Sequence, residues 1–543
     1  MTDQFDYVVI GAGSAGCVLA NRLTADGTTT VALLEAGGRD WSPWIHVPVG
    51  YFKTIHNPAT DWCYVTEPDP GLNGRALKWP RGRVLGGSSS INGLLYVRGQ
   101  RQDYDRWAEL GCEGWSYADV LPCFRRAETN ERNVADGPDE WHGHDGPLRV
   151  SDMRFRRPIC DDFIAGVEEL GTPRSDDVNG AEQEGVGYFQ LTAHKGRRCS
   201  SAVAYLGEAR SRPNLTIITH AMVERIEFDG SRASGVRIRR KGHERTVRAA
   251  REIVLSAGAI GSPQILQLSG VGPRELLAEH GIDVVVDSPD VGANLQDHLQ
   301  IRTVYKTKLP VTLNDELSNP LQKARAGLEY ALRRSGPLSM AASQVYAFCR
   351  TRLSNERPDI QYHFQPLSAD SPGEGLHKFS AITASVCQLR PESRGHIRIR
   401  SARAEDHPTI VPNYLSTELD CATAVEAVKF TRRIMETEAM RRHIAEELLP
   451  DPAAASDEEL LHQAREISNT IYHPAGTCRM GADDRAVLDA RLRVRGVSGL
   501  RVVDASIMPE IVSGNTNAPT IMIGERAAEM IVEDARREAV PEV

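Results

Sequence analysis

No run of about 18 apolar residues occurs in this chain, so no segment reads as a membrane span, and only peripheral contact with a membrane stays open. No basic tract stands out either. The 64 Lys and Arg are interspersed with 73 Asp and Glu for a net charge of −9, which argues against a nucleic-acid partner. The 10 cysteines are scattered, with no C-x-x-C pair and no Cys/His cluster at ligand spacing. Neither a disulfide framework nor a metal centre is therefore expected. Strand-like sequence begins by residue 7, which leaves no room for a leader peptide. Reduced thiols and no leader together point to the cytoplasm. Internal repeats and low-complexity tracts are absent as well. What remains is an ordinary globular composition, 41% hydrophobic and 25% charged, over 543 residues, enough for two or more folding units.

The most informative stretch is FDYVVIGAGSAG, followed by VALLEAGG. Val8-Val9-Ile10 is an unbroken apolar run, as suits a parallel strand buried on both faces. Gly11, Gly13 and Gly16 form G-x-G-x-x-G at the mouth of an amphipathic helix. They permit a tight turn, close approach of a pyrophosphate, and close helix–strand packing, in that order. A second strand, residues 30–34, ends in Glu35, whose carboxylate can grip a ribose diol. The pattern predicts dinucleotide binding and does not choose between NAD and FAD.

Farther along, residues 79–93 (WPRGRVLGGSSSING) are too firmly bracketed by apolar residues for a linker and suit a backbone lying flat against a ring system. Residues 214–258 alternate like a β-meander and then return as a buried strand, 252–255. Ser262 and Pro263 read as N-cap and first position of a helix. From about 300 to 465 the glycine motifs stop, and mostly antiparallel strands with helices suggest an inserted α+β unit. The last 75 residues return to Gly/Ser/Pro-rich order, with a helix over 521–535.

With these motifs in view the chain resembles the glucose–methanol–choline (GMC) oxidoreductase family, in its bacterial branch of choline-, alcohol- and sorbose-dehydrogenase-like flavoproteins. The likeness rests on Gly11–Gly16 with Glu35, Gly82–Asn92, Gly258–Gly272, Val291–His298, and the pair His473-Pro474 and Asn517–Thr520. It implies an α/β fold: a Rossmann-like FAD-binding domain (parallel sheet plus meander) over 1–155, 196–300 and 466–543. A discontinuous α+β substrate-binding cap with a mostly antiparallel sheet would span 156–195 and 301–465.

The resemblance also implies FAD, with contacts from Gly11, Gly13, Ser14, Ala15, Gly16, Glu35, Ala36 and Trp62. The glycine-rich loop would add Arg83, Val84, Gly86, Gly87, Ser88, Asn92, Gly93, Leu94 and Leu95 beside the isoalloxazine ring. Val223 would hold the adenine end, and Ala257, Gly258 and Tyr472 are further contacts. Asp504, Ala505, Asn517, Pro519 and Thr520 would cradle the ribityl chain and pyrimidine side. Ile91 stands where covalently flavinylated relatives carry a His, so non-covalent FAD is implied.

The implied reaction is oxidation of an alcohol CH–OH group by hydride transfer to flavin N5, with His473 as base and Asn517 holding the oxygen. An imidazole near its ordinary pKa suits that task. Asp297-His298 is expected to be structural, because adjacent side chains point apart. Substrate-lining loops are expected near Tyr51, Trp62, Ile471 and Ile511. Lys306 stands where choline-oxidising relatives have a Glu, which ranks choline below a generic alcohol, aldehyde hydrate or polyol. The implied partners are a small alcohol and an electron acceptor, whether oxygen, a quinone or another carrier. A flavin-containing lyase of the same fold, cleaving cyanohydrins without net redox change, is the alternative.

Overall fold

The computed structural model describes residues 4–354, 356–370 and 375–539. Gln4–Ile10 and Val31–Leu34 pair in parallel around the glycine turn, and Val31–Leu34 is buried throughout. Leu215–Ile218 extends this sheet beyond Val31–Leu34, and His243–Leu255 joins its other side. Arg232–Arg240 and Met222–Asp229 then continue it antiparallel, as the meander pattern requires. Leu500–Val502 returns from the C-terminal region to pair with Ile253–Leu255. The apolar runs are continuous because the parallel strands are buried on both faces, with the helix Ser14–Leu23 packed against Gln4–Ile10 and Val31–Leu34.

Two local expectations change. The alternation of the sequence divides 245–249 from 252–255, yet one strand, His243–Leu255, runs through both. Ala250 and Arg251 are both exposed where the neighbouring strand shifts register between Phe5 and Tyr7. The break is a bulge inside one strand. Likewise the helix expected to open at Ser262 and Pro263 spans Gly258–Leu268, so Pro263 lies within it. A proline there leaves the carbonyl four residues earlier without its N–H partner. That carbonyl belongs to Ala259, and Thr477 Oγ1 donates to it at 2.6 Å. Ser262 is freed from capping and donates to Asp504 at 2.6 Å.

The second sheet runs in the order Ile444–Leu449, Leu299–Thr307, Ala381–Gln388, Ile360–Gln365, Val345–Cys349, Gly185–Tyr188, antiparallel throughout. Ser468–Thr470 pairs with the start of Leu299–Thr307, so the second sheet reaches a few residues past both ends of the expected 301–465 span. One face carries Ile301, Tyr305, Tyr362, Phe364, Ile382 and Val386 and packs on the helices Pro158–Glu169 and Glu418–Glu436. The opposite face carries Gln300, Arg302, His363 and Gln365 and looks across a cavity at the first sheet. No helix among the described residues is long and apolar enough to cross a membrane.

The C-terminal helix Asn517–Ala539 lies along Ser14–Leu23. Buried Glu525 fastens the two, accepting from Arg22 at 2.7 Å, Tyr205 at 2.9 Å and Arg126 at 3.0 Å. At the turn itself a Cβ on Gly16 would lie 1.9 Å from the Gly11 carbonyl oxygen. Gly16→Ala should therefore lower unfolding free energy by about 1–3 kcal/mol in urea titrations, as overpacking does. Gly207→Ala, exposed in the helix Ser201–Ala209 with open space around it, should instead add about 0.5–1 kcal/mol. Equal effects at the two sites would refute this account of the turn.

Candidate active site

A single cavity runs from Glu35 and Val223 at one end to Arg302, His363 and His473 at the other. Its first end has the chemistry of a dinucleotide cradle. Gly11 takes φ +95, which an L side chain resists, and a Cβ there would meet the Ser256 carbonyl at 2.4 Å. At Gly13 the nearest atom to a Cβ would be 3.9 Å away, so the space above it is open to a ligand. The helix Ser14–Leu23 has no side-chain cap, leaving its first-turn N–H groups for an anion. Glu35 accepts from the Ala12 N–H at 3.0 Å and the Gly37 N–H at 2.8 Å; burial pushes its carboxyl up to about 7. These residues fit the pyrophosphate and ribose of FAD.

The glycine-rich loop lies backbone on backbone. A Cβ on Gly87 would come within 2.7 Å of Gly13 Cα, and one on Gly82 within 2.1 Å of Gly87. Buried Arg198 staples this loop, donating to Asn92 Oδ1 at 2.6 Å, Asn92 O at 2.7 Å and Ser89 O at 3.1 Å. Nothing in the sequence around Arg198 signals that role.

At the far end, His473 follows Tyr472, whose φ of +69 is strained for a non-glycine residue. Three contacts hold that conformation. The Tyr472 N–H donates to Thr470 Oγ1 at 2.7 Å, Arg81 donates to its carbonyl at 2.7 Å, and the His473 N–H donates to Asp297 at 2.7 Å. Asp297 also accepts from Thr470 Oγ1 at 2.6 Å and from Tyr414; burial pushes its carboxyl up to about 6.

His298 Nδ1 lies 3.0 Å from His473 Nδ1, and His298 Nε2 lies 3.0 Å from the Leu389 carbonyl. Burial brings the His298 pKa down to about 4, so its ring is neutral and carries one proton. A carbonyl can only accept, so that proton is on Nε2. His298 Nδ1 therefore accepts, and His473 must carry its own proton on Nδ1. The lone pair of His473 Nε2 is left facing Asn515, whose Nδ2 donates to it at 3.1 Å. Gln361 donates to Asn515 Oδ1 at 3.2 Å, which fixes the amide with its NH₂ toward the histidine.

His473 does not titrate near the ordinary imidazole value. Burial, followed by His298, His363 and Arg81, holds it well below 6.5, so it is a neutral acceptor throughout the physiological range. The carboxamide that meets it also differs from expectation. Asn517 Oδ1 instead accepts from Ser14 Oγ at 2.9 Å, joining the mouths of two helices, and Asn515 takes the place beside His473. The N-x-N spacing at 515–517 offers both residues and cannot tell which one the loop turns inward. Asp297 and His298 do point apart, yet both hold His473.

Gly11, Gly13, Ser14, Ala15, Glu35, Ala36 and Trp62 all line the cavity. So do Gly87, Ser88, Asn92, Gly93, Leu94, Leu95, Val223, Ala257, Gly258, Tyr472, Asp504, Ala505, Asn517 and Thr520. Gly16, Arg83, Val84, Gly86 and Pro519 are not among its lining residues. Gly16 packs against the Gly11 carbonyl, Arg83 stacks over Trp62 at 4.9 Å, Val84 is buried, Gly86 sits beside Ser90 and Ala202, and Pro519 is in the first turn of its helix. Tyr51 and Ile471 line the far end with Trp62; Ile511 is buried behind it, its N–H bonded to Gln296. Lys306 is well outside, pairing with Glu446 at 3.8 Å, so it carries no argument about choline. The residues missed by the motifs are Asn515, His363, Gln300 and Arg302.

The family model described as GMC oxidoreductase matches residues 5–300 and 391–524. An alcohol dehydrogenase [acceptor] of Pseudomonas putida is 43% identical, covering 97% of this chain and 96% of its own. An oxygen-dependent choline dehydrogenase of Escherichia coli is 46% identical over 97% and 94%. Among solved structures, pyridoxine 4-oxidase from Mesorbium loti superposes with a TM-score of 0.88 at 32% identity, covering 97% of this chain and 99% of its own.

¹⁵N NMR of histidine-labelled protein at pH 6.5 should find His473 neutral with its proton on Nδ1. An imidazolium there, or the Nε2–H tautomer, would break the hydrogen-bond assignment.

Proposed function

The chain belongs to the GMC oxidoreductase family, and on that premise we propose that it oxidises the CH–OH group of an alcohol to an aldehyde or ketone with FAD as cofactor. The relatives named above are dehydrogenases and an oxidase, which favours net oxidation over the lyase reaction. The observation that carries the site assignment is the bare Nε2 of His473 beside an amide NH₂, in a cavity continuous with the nucleotide cradle.

Alcohol oxidation removes a hydride from carbon and a proton from oxygen. Bound FAD supplies the two-electron acceptor for the hydride. His473 Nε2 takes the hydroxyl proton, and His298 holds the tautomer that leaves this nitrogen free to do so. A substrate hydroxyl inserted between the two side chains donates to His473 Nε2 and accepts from Asn515 Nδ2, which fixes the oxygen without competing for its proton. The electrons then pass to an external acceptor. The first sheet and its helices hold the cofactor in this assignment, and the second sheet covers the substrate. Asn517 and Thr520, at the positive end of the C-terminal helix, suit the pyrimidine side, where negative charge gathers on reduction. FAD is held without a covalent bond: Ile91 lines the cavity, and the loop 82–95 contains no His, Cys or Tyr.

His473→Ala should lower kcat by about 10²–10⁴-fold while FAD stays bound. Asn515→Ala should cost more in kcat than Asn517→Ala, whose main effect should be weaker FAD retention. Stopped-flow flavin reduction that is wild-type in His473→Ala, or unaffected by Asn515→Ala, rejects the corresponding role. Acid denaturation followed by centrifugation should leave all the flavin in the supernatant; yellow pellet would mean a covalent link.

A further inference from the structure

The cavity wall formed by the second sheet holds a cation with nothing to neutralise it. Arg302, on Leu299–Thr307, is 6% exposed and lines the cavity. Among the described residues no carboxylate pairs with it and no group accepts a hydrogen bond from it; the ionisable groups whose charge acts on it are the hydroxyls of Tyr472 and Tyr51. Other buried arginines of this protein are fully engaged. Arg98 pairs with Glu128, Arg501 with Glu252 and Asp534, and Arg198 with the oxygens of Asn92, Ser89 and Ile45. The two acids lining the cavity are also engaged elsewhere. Glu35 holds backbone N–H groups, and Asp504 holds Gly258, Ser262 and Ser506.

Strand register aligns Arg302, Ser385 and His363 in one row across three neighbouring strands. Both ring nitrogens of His363, which lines the cavity, are buried without hydrogen-bond partners; Ser385 Oγ, also unpartnered, lies between the two strands and does not line it. His363 lies beside Asn515 and His473. Two strand spacings, roughly 10 Å, separate the backbones of Arg302 and His363. An unpaired buried guanidinium is costly, and a wall with several unsatisfied polar atoms is matched to a polar ligand.

We propose that Arg302 receives a carboxylate of the substrate, making hydroxycarboxylates with the acid group several bonds from the carbinol the preferred alcohols. This rests on the oxidation assignment above and gives it a substrate class. A guanidinium offers two parallel N–H donors to the two oxygens of a carboxylate. The same charge disfavours a quaternary ammonium, for which the cavity has no unengaged acid.

The test is anaerobic flavin bleaching of the holoenzyme with short ω-hydroxycarboxylates, alkanols of matched length, and choline. The hydroxycarboxylates should have the highest kcat/KM. Arg302→Gln should lower their advantage over matched alkanols on the order of 10²-fold, mostly through KM. Arg302→Lys, which keeps the charge and loses the fork, should retain part of it. Propionate and butyrate, which carry no carbinol, should compete with an alkanol in the wild type and not in Arg302→Gln. Bleaching by alkanols or choline with no preference for hydroxycarboxylates and no inhibition by propionate overturns the proposal while leaving alcohol oxidation intact. An equal fall in kcat for every substrate in Arg302→Gln also overturns it, by assigning the charge to the flavin. A wild-type flavin that no alcohol bleaches overturns the oxidation assignment itself.

Discussion

One hydrogen bond between two imidazoles governs the histidine end of the cavity. His298 and His473 share it through their Nδ1 atoms, at 3.0 Å. Because the Leu389 carbonyl claims the only proton of His298, the bond has a single direction, and that direction leaves His473 Nε2 bare. Burial alone would make a neutral histidine; it would not choose which nitrogen is free. The choice is made by a strand start, Leu299, and a loop after Ser468–Thr470 that the sheet pairs side by side. The strained backbone at Tyr472 persists because Thr470, Arg81 and Asp297 surround it with hydrogen bonds.

The nucleotide end relies on a different constraint, the absence of side chains. Gly11, Gly16, Gly82 and Gly87 each bring backbone within a distance that a Cβ would occupy. These contacts let the glycine-rich loop lie on the dinucleotide turn, and Arg198 then fixes the loop through its carbonyls. Glycine contributes no packing energy of its own, so the stability of the region comes from the apolar core of the strands and helices around it, whose helices buried Glu525 ties together through three donors.

The second sheet divides its two faces by the period of two residues that a strand imposes. Its apolar face packs on helices; its polar face forms the cavity wall. Isolated, Gln300, Arg302, His363 and Gln365 would be four unremarkable polar residues. Paired across strands they make a wall whose charge and unsatisfied donors differ from those of an inert cover.

Where chemistry is written within a few consecutive residues, the sequence alone determines it. The G-x-G-x-x-G turn, its flanking strands, Glu35 and the loop 82–95 are local patterns with local physical reasons, and they lead directly to a dinucleotide fold. His473 is legible as the proposed base for the same reason, through its motif. Its ionisation was not, because a pKa is set by desolvation and by neighbours 110 and more residues away in the chain. The choice of Asn515 over Asn517 likewise belongs to the tertiary structure: both lie at the mouth of the C-terminal helix, and only the anchors at Gln361 and Ser14 decide which carboxamide turns toward the histidine. Arg302 was silent in the sequence because one charge in an alternating strand looks solvated. Only the pairing of strands reveals that it is buried, unmatched among the described residues and turned to the cavity.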